Sequence, residues 1–255
     1  MLYSQYLAGC CPPEPPRYVL DPPRAETLPA SAKTLIEESD RLLRRYPLGI
    51  QDVERARQAL AKALQFVRSF DVHWRLSRAC FLLSQKLANR EEKLRYALVG
   101  LEHAIQGRRL VRDRVEPHYY EALNRANVAE AKGSLKLVKP MMAAARKATL
   151  IDEAYDNAGP LVVQGKVYLT APPWPMSVGN TEKAVEMLAR AVRLAPTAMN
   201  KIFLGQAYYH DEQYVRSRKV IRKALKAAGS RLDPRWRKEA RDYLRRLRAE
   251  LGTEQ

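Results

Sequence analysis

Three features of the sequence predict an all-α array of antiparallel helix hairpins with about eleven helices. Beyond residue 30 the chain is rich in Ala, Leu, Lys, Arg and Glu, which lose little conformational freedom on entering a helix. Pro and Gly mark breaks between the apolar-periodic segments. One pattern of three residues recurs on five segments. No segment alternates apolar and polar residues over a strand length, so we expect no sheet.

The breaks include Pro47, Gly133, Pro196 and Gly229. They predict helices at roughly 32–46, 52–70, 72–88, 90–112, 116–132, 136–151, 158–170, 180–195, 198–212, 214–228 and 233–251.

Three residues are candidate N-caps, because their side-chain oxygens can accept hydrogen bonds from free backbone amides: Asp52, Asn180 and Asp233. Pro234 suits a first helical position, where its missing N–H has no intrahelical partner to lose.

The recurring pattern places a small or apolar residue, a second one four positions later and an Ala at position seven. These offsets lie on one face of a helix, and the Ala positions let a neighbouring helix pack closely. The sets are Ala56/Leu60/Ala63, Ala97/Leu101/Ala104, Met141/Ala145/Ala148, Ala184/Leu188/Ala191 and Ser217/Ile221/Ala224. Their spacing resembles the second helix of a tetratricopeptide hairpin.

The last units match the tetratricopeptide motif most closely. Pro196 terminates the Ala184 helix, and Leu204-Gly205-x-x-Tyr208 then opens the next hairpin. We expect Gly205 to permit close helix approach and Tyr208 to pack beneath it. The competing interpretation is an ordinary Ala-rich helical bundle. The fold class is therefore predicted as a tetratricopeptide-like α-solenoid.

The N-terminus differs in composition and predicts a division of the chain into 1–30 and 31–255. Leu7-Ala8-Gly9-Cys10 resembles a bacterial lipobox, which would place a lipid on Cys10, and the proline-rich stretch after it suits an extended tether. No Lys or Arg precedes Cys10 and the apolar stretch is short. Either the true start lies upstream of Met1, or this is an ordinary disordered N-terminus.

The net charge of +17 is concentrated near the C-terminus, where fourteen Lys or Arg and three Asp or Glu lie between Arg216 and Arg248. Such a surface attracts acidic proteins, nucleic acid or anionic lipid, although a solvated face is the common alternative. In the last helix we expect the basic residues to spread around the helix, with Trp236 and Tyr243 interleaved. The predicted basic patch is Arg235, Arg237, Lys238, Arg241, Arg245, Arg246 and Arg248.

A family resemblance covers roughly residues 52–225 and is densest over 121–196. It rests on EALNRANVAEAKG from Glu121, on the loop APPWPMSVGN from Ala171 and on TEKAVEMLARAVRLAP after it. This run resembles the T component of bacterial TRAP transporters, a tetratricopeptide-like lipoprotein family. The resemblance implies a periplasmic, lipid-anchored scaffold that partners a periplasmic solute-binding protein, with a homotrimer as one arrangement. The sequence departs from this family in two ways. Asn157-Ala158 stands where glycines are expected, and the C-terminal helices are unusually basic.

The candidate partner-binding residues lie on predicted first helices and in the proline-rich loop. First helices line the concave face of such arrays, where Tyr and Asn serve recognition, and plain packing is the alternative for each residue. For the loop around Trp174, the alternatives are a wedge packed on the helices, which we favour, and a lip on the binding face. The candidates are Tyr119, Tyr120, Asn124, Asn127, Trp174 and Tyr208.

The sequence offers no constellation for catalysis, a metal or a cofactor. Four His and three Cys occur without zinc-ligand spacing or a His-Glu-x-x-His pair. Cys80, among apolar neighbours, is typical of a small buried hydrophobe. We therefore predict a protein that is not an enzyme and needs no cofactor.

Two functional hypotheses remain. The first is a scaffold that binds a protein in a cell-envelope assembly, anchored by lipid to the outer membrane in the periplasm; this location argues against nucleic acid. The alternative is an intracellular, cytoplasmic adaptor whose basic C-terminal helices bind nucleic acid or an acidic protein.

Overall fold

The computed structural model describes residues 28–45, 48–229 and 232–252. Residues 1–27, with Cys10 and the proline-rich segment, lie outside the described residues, as does Pro47. The predicted tether, the lipidation site and the division at residue 30 therefore stay predictions. Within the described residues no helix is both long enough and apolar enough to cross a bilayer.

Eleven α-helices form within the described ranges, and these ranges contain no strand. Each begins and ends within four residues of its predicted bounds, which confirms the all-α fold class. The helices are α1 (Ala30–Leu43), α2 (Ile50–Phe66), α3 (Phe70–Lys86), α4 (Arg90–Leu110), α5 (Val115–Lys132), α6 (Val138–Ile151), α7 (Tyr155–Thr170), α8 (Thr181–Leu194), α9 (Ala198–His210), α10 (Tyr214–Ala228) and α11 (Pro234–Glu250).

Two compact units divide the described residues after Ile151. Unit 1 contains α1–α6, in which each helix packs on the next and α3 also contacts α5. Unit 2 contains α7–α11, in which α9 contacts α7, α8, α10 and α11. Sequential antiparallel pairing joined by short connections is the arrangement expected of helix hairpins.

The predicted triplets occupy the second helix of each hairpin, on α2, α4, α6, α8 and α10. Fourteen of their fifteen residues are buried, and Leu101 is half-buried. This stripe is the face that each second helix packs against its neighbours. Its fully buried Leu60, Leu188 and Ile221 each contribute about 1.5–3 kcal/mol of apolar stabilisation. The repeat predicted from sequence spacing is confirmed.

Close approach of the two helices in a hairpin explains one glycine of the motif. A Cβ on Gly205 of α9 would lie 2.3 Å from Ile221 Cγ1 of α10, and one on Gly165 of α7 would lie 2.5 Å from Leu188 Cγ of α8. In both hairpins of unit 2, the central residue of the triplet therefore fills the space that a side chain on the first helix would occupy. The prediction for Gly205 is confirmed.

Two of the three predicted N-caps are confirmed. Asn180 Oδ1 accepts from the Lys183 amide at 2.7 Å, and Asp233 Oδ1 accepts from the Arg235 amide at 2.8 Å. Asp52 was wrong as an N-cap, because α2 begins at Ile50 and Asp52 lies inside its first turn, with Gly49 as the N-cap.

The start of α7 carries three consecutive left-handed residues: Asp156, Asn157 and Ala158, with φ of 48°, 58° and 63°. A left-handed residue with a Cβ costs about 1–2 kcal/mol, and glycine avoids that cost. This explains why the family resemblance implied glycines where Asn157 and Ala158 stand. Asn200 Nδ2 donates to the Asn157 carbonyl at 2.9 Å and so supports this conformation.

Candidate interaction surfaces

The two asparagines predicted to face a partner on α5 are hydrogen-bonded inside unit 1. Asn124 Nδ2 donates to Ser77 Oγ at 3.0 Å, and Ser77 Oγ donates to the Gly100 carbonyl at 2.7 Å. One turn further, Asn127 Nδ2 donates to Ser84 Oγ at 3.1 Å. These bonds join α5 to α3 and, through the serines, to α4. Both asparagines are buried.

The two tyrosines on the same helix are also interior. Tyr119 and Tyr120 are buried, with ring centroids 5.2 Å apart, and Tyr120 stacks on Trp74 of α3 at 6.2 Å. The structure therefore does not bring the four α5 candidates to a surface that a partner could contact. Their role in recognition stays a prediction, and these contacts favour the packing alternative.

The loop between α7 and α8 places its large apolar side chains in solvent. Trp174 is 85% exposed and Met176 is 71% exposed. The favoured wedge, with a Trp ring packed on the helices, was therefore wrong. The reason is local: the turn closed by the bond from the Ser177 amide to the Pro173 carbonyl leaves all four residues from Pro173 to Met176 exposed.

Backbone hydrogen bonds hold this loop together. The Gly179 amide donates to the Pro172 carbonyl at 2.9 Å, the Ser177 amide donates to the Pro173 carbonyl at 3.2 Å, and the Asn180 amide donates to the Tyr168 carbonyl at 2.8 Å. Because the two arms are bonded to each other and to the end of α7, the loop presents Trp174 on a defined base. We call residues 171–180 the tryptophan loop.

Tyr208, the sixth candidate, is half-buried on α9. It belongs to the same unit as the tryptophan loop. The Gln213 amide donates to the Tyr208 carbonyl at 2.8 Å and closes the turn between α9 and α10. Its role in partner binding stays a prediction.

The basic patch predicted on α11 is largely exposed. Of its seven residues only Arg237 is half-buried, and its guanidinium donates to the carbonyls of Gly229 and Leu232. The aromatic residues interleaved with the patch, Trp236 and Tyr243, are buried. Their rings pack on α9, with Trp236 edge-on to Phe203 at 5.4 Å between centroids. No base-stacking platform therefore forms on this helix.

The exposed basic residues of α11 spread over more than one face, as expected, with Arg235 and Arg246 apart from the other four. Four exposed members follow the spacing i, i+3, i+7 and i+10, which puts them on one face opposite the buried side. They are Lys238, Arg241, Arg245 and Arg248.

Helix α10 carries the same spacing, which sequence analysis did not single out. Arg216, Lys219, Lys223 and Lys226 are all exposed, and α10 contains no acidic residue. Its opposite face, with Ser217, Ile221 and Ala224, is buried. The i, i+3, i+7, i+10 spacing on α10 could have been recognised from the sequence alone. So could Met176 beside the three prolines of the tryptophan loop.

Two titratable groups in the described interior of unit 1 have strongly shifted pKa values. Burial lowers the pKa of His103 to about 4, helped by nearby His73 and Arg57. The Nδ1 atoms of His73 and His103 lie 3.0 Å apart. Burial raises the pKa of Cys80 to about 12, as expected of a small buried hydrophobe. Among the described residues no three His, Cys, Asp or Glu side chains converge on a metal position.

Comparison with solved structures defines the class of this fold. TTC0263, a thermophilic TPR (tetratricopeptide repeat) protein of Thermus thermophilus, has a TM-score of 0.62 at 15% identity and covers 84% of this chain and 98% of its own. PilF of Pseudomonas aeruginosa has a TM-score of 0.56 at 17% identity, covering 87% and 90%. The chain therefore has a tetratricopeptide-like fold.

These comparisons do not identify the family to which the chain belongs. No protein-family model matches the sequence, and no curated protein matches it. Identities of 15% and 17% establish the fold alone. The resemblance to TRAP-associated T components belongs with the proposal that follows.

Proposed function

We propose that this protein is a non-catalytic scaffold that binds a partner protein through the tryptophan loop. The observation that carries the proposal is the exposure of Trp174 and Met176 at the tip of a loop whose base is hydrogen-bonded. Large apolar side chains in water on an ordered loop mark interaction sites. Trp and Met are both enriched at protein interfaces.

The fold also supports a binding role, because its packed helices hold the loop in place. Stacked hairpins hold loops on a rigid base, and repeat proteins use such insertions for recognition. A preformed loop loses little conformational entropy on binding, so more of the contact energy remains as affinity.

The proposed setting is a cell-envelope assembly of the TRAP type, with a periplasmic solute-binding protein as partner. The resemblance in residues 121–196 supports this setting. In it, the chain would be lipid-anchored at Cys10, face the periplasm from the outer membrane and form a homo-oligomer.

The loop is tested with the double variant Trp174→Ala, Met176→Ala in the full chain. Native complexes of the variant and the wild type are recovered and compared by quantitative mass spectrometry. We expect a partner bound by the wild type to fall at least tenfold in the variant, since one interface hot spot contributes about 2 kcal/mol or more. The matched control is Phe66→Ala, which removes another exposed apolar side chain, 56% exposed, in unit 1.

Unchanged recovery of every partner in the loop variant would contradict the proposal. Equal loss in the Phe66 control would show that the effect is not specific to the loop. A solute-binding protein among the partners lost selectively would support the TRAP setting.

The proposed location is tested separately with Cys10→Ser. We expect the wild type to incorporate labelled fatty acid and to sediment with outer membranes, and the variant to do neither. A wild-type protein that remains unlabelled in the cytosol would favour the intracellular adaptor instead.

A further inference from the structure

The faces of α10 and α11 that turn away from α9 carry matching rows of basic residues. On α10, the row of Arg216, Lys219, Lys223 and Lys226 lies opposite Ile221, which packs on α9 beneath Gly205. On α11, the row of Lys238, Arg241, Arg245 and Arg248 lies opposite Trp236, whose ring packs on Phe203 of α9.

Among the described residues, one acidic side chain forms an ion pair with these two rows. Within the described residues the only ion pair in either row joins Arg245 to Asp242, an i, i+3 neighbour on α11. Arg216 donates to the side-chain carbonyl of Gln213, which carries no charge. The two helices pack against each other, and the part of the chain that the structure describes places one paired acidic residue beside their eight exposed cations.

The dimensions of this surface decide which polyanion it fits. Ten residues of helix span about 15 Å, and packed helices lie about 8–10 Å apart. Two helices side by side are therefore about 20 Å wide with their side chains, which is too wide for the major groove of duplex DNA, at about 12 Å. A bilayer surface sets no such limit on width.

Side-chain types on the two rows point the same way. Single-stranded nucleic acid is held by aromatic rings on which bases stack, but Trp236 and Tyr243 are buried against α9. The exposed apolar residue beside the rows is Val215, at the start of α10 and 61% exposed. Lys and Arg around an exposed aliphatic residue match the interface of an anionic membrane.

We propose that the basic faces of α10 and α11 form a docking surface for anionic phospholipid membranes. This surface is separate from the tryptophan loop, and it would act alongside any lipid at Cys10. A single acyl chain binds membranes only marginally, and a polybasic surface is a second signal that makes attachment stable.

The test measures binding to vesicles of phosphatidylglycerol and phosphatidylcholine, with phosphatidylcholine vesicles alone as reference. The full chain carries Cys10→Ser, so that no acyl group can anchor it. We expect binding to the anionic vesicles that weakens with added salt, and none to the reference vesicles.

Two variants and one control localise the effect. The first variant changes Arg216, Lys219, Lys223 and Lys226 to Gln, and the second changes Lys238, Arg241, Arg245 and Arg248 to Gln. Each basic side chain near such a surface strengthens binding about fivefold, so each variant should bind at least ~100-fold more weakly. The control removes the same charge from exposed residues of unit 1: Lys33, Arg55, Lys139 and Lys147 to Gln. It should bind within about fivefold of the parent.

Three results would overturn the proposal. The parent could fail to bind anionic vesicles; the control could weaken binding as much as the two variants, which would make net charge sufficient; or a duplex DNA competitor could bind more tightly than the vesicles, which would favour nucleic acid. Circular dichroism of each variant checks folding. Trp174→Ala with unchanged vesicle binding separates this surface from the proposed protein partner.

Discussion

Helix α5 and the tryptophan loop were both predicted to bind a partner, and the structure treats them in opposite ways. The candidate asparagines and tyrosines of α5 are buried, and both asparagines donate hydrogen bonds to serines of α3, while the loop exposes Trp174 and Met176. The difference comes from what surrounds each segment. Helix α5 packs against α3, α4 and α6, whereas the loop lies beyond the ends of α7 and α8.

This comparison shows that residue type alone does not distinguish recognition from internal packing. Asn and Tyr occur at binding faces because they combine polar atoms with contact area, and the same property lets them satisfy buried serines and carbonyls. The partners available within hydrogen-bond distance decide the role. The predictions below test whether the interior of unit 1 and the loop of unit 2 differ in this way.

The largest expected effect is acid sensitivity of the unit 1 interior. The pKa of His103 falls from 6.5 to about 4 in the folded protein because partial burial desolvates its ring, and the pKa of His73 is lowered for the same main reason. Between these values the unfolded chain binds more protons than the folded one. The lowered pKa of His103 therefore costs no stability above pH 6.5. As the pH falls towards 4, it lowers the free energy of unfolding by about 3 kcal/mol.

Urea denaturation at several pH values between 4 and 7.5 measures this loss, with His103→Gln as the comparison. Carboxylates contribute to the pH dependence of both proteins, so the difference between them reports the histidine. The wild type should lose more stability than the variant over this range. Parallel curves for the two proteins would mean that His103 is not held neutral by burial.

The next effect concerns the hydrogen bonds of α5. Asn124→Ala removes donors to Ser77 and to the Tyr120 carbonyl, at 3.0 Å and 2.9 Å, and leaves space beside Gly100. We expect a loss of about 2 kcal/mol in the free energy of unfolding. Gln51→Ala, at an exposed position on α2, should change it by less than about 0.5 kcal/mol. Denaturant midpoints that coincide for the two variants would return Asn124 to the list of surface candidates.

The helices themselves were predictable because their signals are local. Apolar spacing, caps such as Asn180 and Asp233, and breaks at Gly and Pro act within a few residues of one another. The triplets also predicted how the hairpins pack, because an Ala or Ser at a helix crossing allows the neighbouring helix to approach closely in each repeat. The prediction of Asp52 as an N-cap was wrong because an Asp near the start of a helix can either precede the helix or lie inside its first turn. The sequence pattern is the same in both cases.

The candidate surfaces were harder to predict because they depend on residues distant in sequence. Asn124 lies 47 positions from the Ser77 that binds it, and no spacing rule connects the two. The composition of the proline-rich loop did not indicate whether the Trp ring would pack on the helices or lie in solvent. The basic row of α10 could have been found, since its period of three and four is a property of one helix.

A third prediction compares two fully buried alanines in unit 2 that differ in backbone conformation. Ala158 has φ of 63°, and Ala191 lies in the helical interior of α8. Ala191→Gly should lose about 1–2 kcal/mol, from helix propensity and a lost buried methyl group. Ala158→Gly relieves left-handed strain of similar size, so its stability should stay within about 1 kcal/mol of the wild type. Chemical denaturation ranks the two, and a larger loss for Ala158→Gly would contradict the left-handed assignment.

The smallest effect on stability, and the most direct check of the loop, comes from Trp174→Phe. The ring makes little contact with the protein, so the free energy of unfolding should change by less than about 0.5 kcal/mol. The fluorescence should nevertheless change clearly, because the other two tryptophans, Trp74 and Trp236, are buried. Loss of the one water-exposed indole should shift the emission maximum to shorter wavelength and reduce quenching by acrylamide. Emission and quenching that match the wild type would mean that Trp174 packs on the helices in solution, and the contrast between the loop and α5 would then disappear.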